Sequence, residues 1–122
     1  MATLDNRVFD NGLTVLDTEA DEIHITSAEA TSFANVSAVT LGNSTTLSIG
    51  APADRAGGGR EVTVAATTDG SVTGTGTATH YAIVDSGNSR LLATGSLSAS
   101  QSVTNGNTFT LSSVTIGIPD PA

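Results

Sequence analysis

Short apolar runs of period two, cut by turn residues at intervals of about 8–12 positions, limit what this chain can become more than any other feature. Residues 22–26 (EIHIT) alternate cleanly, with Ile23 and Ile25 on one face. Residues 36–41 and 45–49 read as strands on either side of a turn at Gly42-Asn43-Ser44. Residues 61–66 read as a strand closed by Thr68-Asp69-Gly70, and 72–77 as a weaker strand broken by Gly74 and Gly76. The densest β signal is 79–95. Tyr81, Ile83 and Val84 place aromatic and β-branched bulk on a pleated surface, Asp85-Ser86-Gly87-Asn88-Ser89 makes the reversal, and Leu91 and Leu92 follow. A second hairpin is expected around Asn105-Gly106-Asn107. Nothing alternates strand with helix as a parallel sheet requires. The expected fold is all-β, an antiparallel β-sandwich or jelly-roll-like arrangement of about eight short strands.

Two segments depart from this rhythm. In 107–118, Phe109 and Leu111 share one parity while Val114, Ile116 and Ile118 share the other. A strand of period two cannot keep all of them on one side, so a bulge or bend is expected near Ser112-Ser113, or a change in the layer the strand packs on. In 1–21, Phe9, Leu13 and Leu16 follow a helical spacing that Asp5 or Asn6 can cap, yet Asn11-Gly12 is a turn dipeptide inside the run. The segment is read as a short helix or an extended arm, followed by a single β-sandwich domain over 22–122. Residues 27–35 read as loop. Residues 51–60, with Pro52 and three consecutive glycines, read as the most mobile loop.

Composition narrows the function. The 122 residues carry a formal net charge of -8, no cysteine and no tryptophan. The positive charges are Arg7, Arg55, Arg60 and Arg90 alone. No cationic stripe is present to displace counterions from nucleic acid, and an anionic membrane surface is an equally poor partner. A basic or neutral protein surface suits the chain better. The first residues lack the basic and apolar regions of an export signal, so a soluble protein made in the cytoplasm is expected.

No motif points to catalysis. His24 and His80 lie in predicted strands without the spacing of a metal site, and read as strand histidines bonded to backbone or neighbours. There is no nucleophile elbow, no lysine and no Gly-Lys-Ser/Thr after the triple glycine. A hydrolase would need a pocket in which a histidine and a carboxylate face one another. No enzyme activity, metal or cofactor is expected. Asp85 reads as a loop cap or as a contact to a neighbour's arginine. The candidate interface residues are Arg7, Phe9, Arg55, Arg60, Asp85 and Arg90, with the arginines suited to bidentate bonds with carboxylates.

The segment 77–111 resembles small structural proteins of tailed bacteriophages. The matching residues are Thr79-His80-Tyr81, Ile83-Val84-Asp85, Leu91-Leu92, Gly95, Leu97 and the turn from Val103 through Thr108. The upstream EIHITSAEA is similar to a strand and loop of those proteins, with Ala30 where proline is frequent. The resemblance implies a virion structural protein, a capsid decoration (cement) protein first; the chain is expected on the capsid exterior, where an acidic protein avoids packaged nucleic acid, binding the major capsid protein and itself as a homotrimer. The alternative it implies is a tail-fibre, collar or head–tail component acting as a binding module.

Overall fold

A computed structural model describes residues 5–119, without the side chains of residues 6–9. The elements are α1 (Asn6–Glu19), β1 (Glu22–Thr26), α2 (Phe33–Val39), β2 (Thr40–Ser44), β3 (Ala53–Asp54), β4 (Arg60–Val64), β5 (Thr67–Val72), β6 (Gly76–Asp85), β7 (Arg90–Val103), β8 (Thr108–Leu111) and β9 (Val114–Ile118). Among the described residues the strands form two antiparallel sheets, of order β7-β6-β1-β2-β5-β8 and β3-β4-β9. The fold is therefore all-β, with nine strands among the described residues where about eight were expected. Two compact units divide it. One holds Ala20–Leu47 and Thr67–Leu111; the other holds residues 5–19, 48–66 and 112–119.

In the larger unit β1 and β6 form the spine. Ile23 and Ile25 pair with Ile83 and Tyr81, and all four are buried. The intervening residues Glu22 and His24 pair with Val84 and Ala82 on the opposite face. That face is covered by α2 and the loop before it: Ala30, Val36, Ala82 and Val84 form a buried cluster with Phe33, Val39 and Leu91 against it. Both faces of the end of β6 are thus covered, which explains an unbroken buried run from Tyr81 to Asp85.

The helix α2 replaces what reads as loop followed by strand. Ser32 caps it, its hydroxyl accepting from the Asn35 amide at 3.1 Å, and Phe33, Val36 and Val39 recur at a helical spacing on the covered face. Val36 and Val39 look like strand residues in isolation, but here tertiary burial overrides a modest β preference. Gly42-Asn43-Ser44 is not a turn either; it lies within β2. A Cβ at Gly42 would collide with the Ser71 backbone, so the glycine marks a close approach of β5 rather than a reversal. Of 45–49 only Ile49 pairs, through an isolated bridge to Val64. Thr68-Asp69-Gly70 falls inside β5, as a register shift between Thr67 and Gly70 against β8.

The hairpin of β6 and β7 forms as expected, closed by a 3-10 turn at Ser86–Asn88. The left-handed residue is Ser89 (φ 55°) rather than Gly87 or Asn88. The second expected hairpin does not form a ladder: β8 pairs with β5, so β7 and β8 are the two outer strands of the sheet.

In the smaller unit α1 packs on β4 and buries Leu13 and Leu16, while Val62 and Val64 are buried from the strand. Within the first segment Asn6–Glu19 are therefore helical rather than an extended arm. Gly12 costs about 1 kcal/mol relative to alanine in a helix, and the buried leucines offset it. Residues 53–64 form the hairpin of β3 and β4 rather than an open loop, its turn held by Arg55 N–H to the Gly59 carbonyl at 3.1 Å. The parity change in 107–118 is resolved by a change of sheet. β8 ends at Leu111, and β9 begins at Val114 and pairs along all of β4.

Candidate functional site

The six expected interface residues are divided between the two units: Arg7, Phe9, Arg55 and Arg60 belong to the smaller, Asp85 and Arg90 to the larger. Arg7 and Phe9 lie on α1, and their side chains fall outside the described residues. Arg60 is committed within its own unit. Its guanidinium donates to Asp10 from Nε at 2.9 Å and from Nη2 at 3.3 Å, to Asp54 from Nη1 at 2.7 Å, and to the Pro52 carbonyl from Nη2 at 3.2 Å. These bonds, Asp10 first and Asp54 next, raise its pKa above the ordinary arginine value. They tie α1, β3 and β4 together. Arg60→Gln is expected to lower the thermal unfolding midpoint, and the difference from wild type is expected to shrink in 1 M salt, where exposed charge pairs are screened (roughly a 3 Å Debye length). Thermal melts of both proteins at low and high salt check this.

Arg55 donates from Nη1 to the Gly58 carbonyl within its own turn. Asp85 is buried and accepts from Asn88 Nδ2 at 2.7 Å, so it organises its own loop by a side-chain bond rather than through backbone amides. Arg90 is exposed at the start of β7, in register with Asp85.

What the sheet does bring together is a pocket that periodicity could not reveal. Its volume is about 260 Å³, and it opens beside α2 on the Glu22/His24 face of the larger unit. Phe33, Ala34, Val36 and Val84 give it apolar walls; Ser37 and Thr40 add hydroxyls; Glu22 and His24 stand at one side. Phe33 and Val84 are far apart in the chain and meet only because the loop before α2 folds back over β6. The one usable sequence signal was the Phe33, Val36, Val39 spacing, behind a serine three residues before an asparagine.

The polar side of the pocket is a connected network. His24 Nδ1 lies 2.9 Å from Thr40 Oγ1, and Nε2 lies 3.7 Å from Glu22 Oε1. Glu22 Oε1 also accepts from Asn43 Nδ2 at 2.6 Å. Thr40 Oγ1 is itself engaged with Gly42, donating to its carbonyl at 3.2 Å and accepting from its amide at 3.3 Å. The histidine and carboxylate therefore do face each other in a pocket. Their 3.7 Å separation is an electrostatic contact and too long for an orienting hydrogen bond. His80, the other histidine, has Nδ1 2.8 Å from Thr79 Oγ1. Among the described residues no group of three or more potential ligand side chains is placed to hold a metal ion, and no helix is long and apolar enough to cross a membrane.

Burial pushes the His24 pKa below its ordinary value near 6.5, with Glu22 and Asp21 opposing the shift. The sign of the stability effect follows. As pH falls past about 6.5 the unfolded chain takes up the proton first, so stability declines until the folded imidazole also titrates. Asp21 does not contribute in that window. Its hydrogen bonds from the Ser86 side chain and amide lower its pKa from 3.8, so its contribution is present above that value and is lost only at more acidic pH. Wild type is expected to lose more stability than His24→Gln between pH 7.5 and 5.5, as read by urea denaturation at each pH.

Comparison with family models, with curated proteins and with solved structures finds no match to this chain.

Proposed function

We propose that this chain is a virion structural protein of the head-decoration type, binding the outer surface of a capsid and stabilising it by bridging capsid subunits as a homotrimer. The observation that carries the reading is β7. It is a fourteen-residue outer strand whose only charged residue is Arg90 and which contains no lysine and no proline. Outer strands expose unpaired backbone donors and acceptors, and proteins that must stay solitary guard them with charge, proline or brevity. Beyond Arg90, β7 has none of these, and it departs from regular pairing between Leu91 and Ala93 and between Ser96 and Gln101, where it carries extra residues against β6. Leu92 and Leu97 remain half-exposed along the strand. Such an edge is suited to pairing with another chain. The phage-like pattern of 77–111 lies on β6, β7, the following turn and β8, so the resemblance and the open edge share one stretch of chain.

The chemistry of the role is adhesion. Each bridged contact is weak, but contacts linked through one body must break together, which multiplies their effect. The formal charge of -8 favours a place outside the shell, away from packaged nucleic acid. The pocket beside α2 favours a second reading, a tail-fibre or collar module that binds a ligand or receptor. Electron microscopy of a purified particle separates the two. Copies by the hundred across the shell support decoration, a ring of about a dozen or fewer supports the tail module, and absence from the particle overturns both.

A further inference from the structure

We propose that the pocket beside α2 binds the side chain of an arginine presented by a partner protein. The inference goes beyond the virion reading and does not depend on it. The pocket is of the size of a single side chain or small ligand, about 260 Å³, and its walls are of two kinds. The apolar side, formed by Phe33, Val36 and Val84, suits methylene groups and offers an aromatic ring to a guanidinium plane. The polar side carries Glu22. A carboxylate offers about four acceptor sites. Those described for Glu22 fall on Oε1, through the Asn43 amide and the longer contact to His24, which leaves capacity for a bound donor.

Charge points the same way. None of the lining residues is lysine or arginine, and the carboxylate of Glu22 is among them. Asp21, next along the chain, is held ionised by Ser86 and adds to the negative field. His24, which would repel a cation if protonated, is kept toward its neutral form by burial. Arginine fits this pairing better than lysine, because its planar fork can engage a carboxylate while the same plane lies against a ring. An apolar side chain alone would leave Glu22 unused, and an acidic one would be repelled by it.

The test uses the full-length, isotopically labelled protein and amide NMR titration. The probe is N-acetyl-arginine amide. The comparison compounds are N-acetyl-citrulline amide, which has the same shape without the charge, and N-acetyl-norleucine amide. The expected result is saturable shifts centred on residues 22, 24, 34, 36, 37 and 84, with citrulline binding about tenfold weaker for loss of one charged hydrogen-bonded contact. Glu22→Gln retains an acceptor for Asn43 and is expected to weaken arginine to the citrulline level. Ala34→Trp, on an exposed position of α2, is expected to abolish the shifts by filling the pocket. Absence of saturable shifts, shifts scattered away from α2, equal binding of citrulline, or unchanged binding to Glu22→Gln would each overturn the proposal. The citrulline comparison is made on wild-type protein and stands even if a variant fails to fold.

Discussion

Ile83→Ala is expected to destabilise the chain by about 3 kcal/mol, within the range for truncating a large aliphatic side chain in a packed core. Ile83 is fully buried on β6, between Ile23 of β1 and Ala93 of β7 in the ladders. The truncation removes buried apolar surface from a strand paired on both sides, and leaves a void that both flanking strands would have to move to fill. Strands locked by ladders on both sides relax little, so the cavity term persists alongside the transfer term. Urea denaturation reads the loss as a lower midpoint. Val15→Ala, at a position on α1 that is 39% exposed, serves as the control and is expected to change stability by less than about 0.5 kcal/mol. Equal effects from the two substitutions would contradict the placement of the core.

Gly59→Ala is expected to cost as much, by a different mechanism. Gly59 has φ of +93°, and a Cβ there would run into the Ile118 carbonyl and the backbone of Pro119. The side chain thus faces an unfavourable backbone conformation and a collision with backbone that cannot swing aside. A loss of about 3 kcal/mol is expected from the two terms together. Gly57→Ala separates them. Gly57 has φ of +86° with nothing near its would-be Cβ, so only the conformational term, about 1 kcal/mol, applies. Because Gly59, β4 and β9 belong to the smaller unit, hydrogen exchange of the β4 and β9 amides is the informative readout alongside global unfolding. Faster exchange confined to Gly59→Ala is the expected pattern.

These glycines show where the sequence could and could not be read. Three glycines in a row after Pro52 announce backbone freedom, and residues 57–59 all take positive φ. They do not announce that the freedom closes a tight hairpin carrying an arginine clamp, because Asp10 is fifty residues from Arg60. The alternation of EIHIT yielded β1 with the buried face correct, since period two is the direct imprint of a half-buried strand. The parity change after Leu111 pointed to a bulge or bend near Ser112-Ser113 or, alternatively, to a change of packing partner, and β8 and β9 pair in different sheets.

Where the reading failed, a residue type had two uses. Gly42 served close approach rather than a turn. Val36 and Val39 served a helix whose covered face outweighs strand preference. Asn105-Gly106-Asn107 made a turn as expected, but chemistry local to a turn says nothing of which ladder the next strand joins. β8 crosses to β5 because its apolar pair, Phe109 and Leu111, is buried there. The candidate pocket was illegible for the same reason: its walls come from separate elements, and only the assembled sheet places Phe33 near Val84 and Glu22.

Adhesion through the outer edge of β7 is tested by sedimentation equilibrium of the intact protein beside the double variant Ser96→Lys/Ser98→Lys. Both serines are exposed on β7, and lysine there guards an edge against pairing while leaving the buried face alone. The expected result is a wild-type trimer and a variant reduced to monomer, with matching thermal unfolding of the dissociated chains. A wild-type monomer, or a trimer that the two lysines leave intact, would contradict the claim.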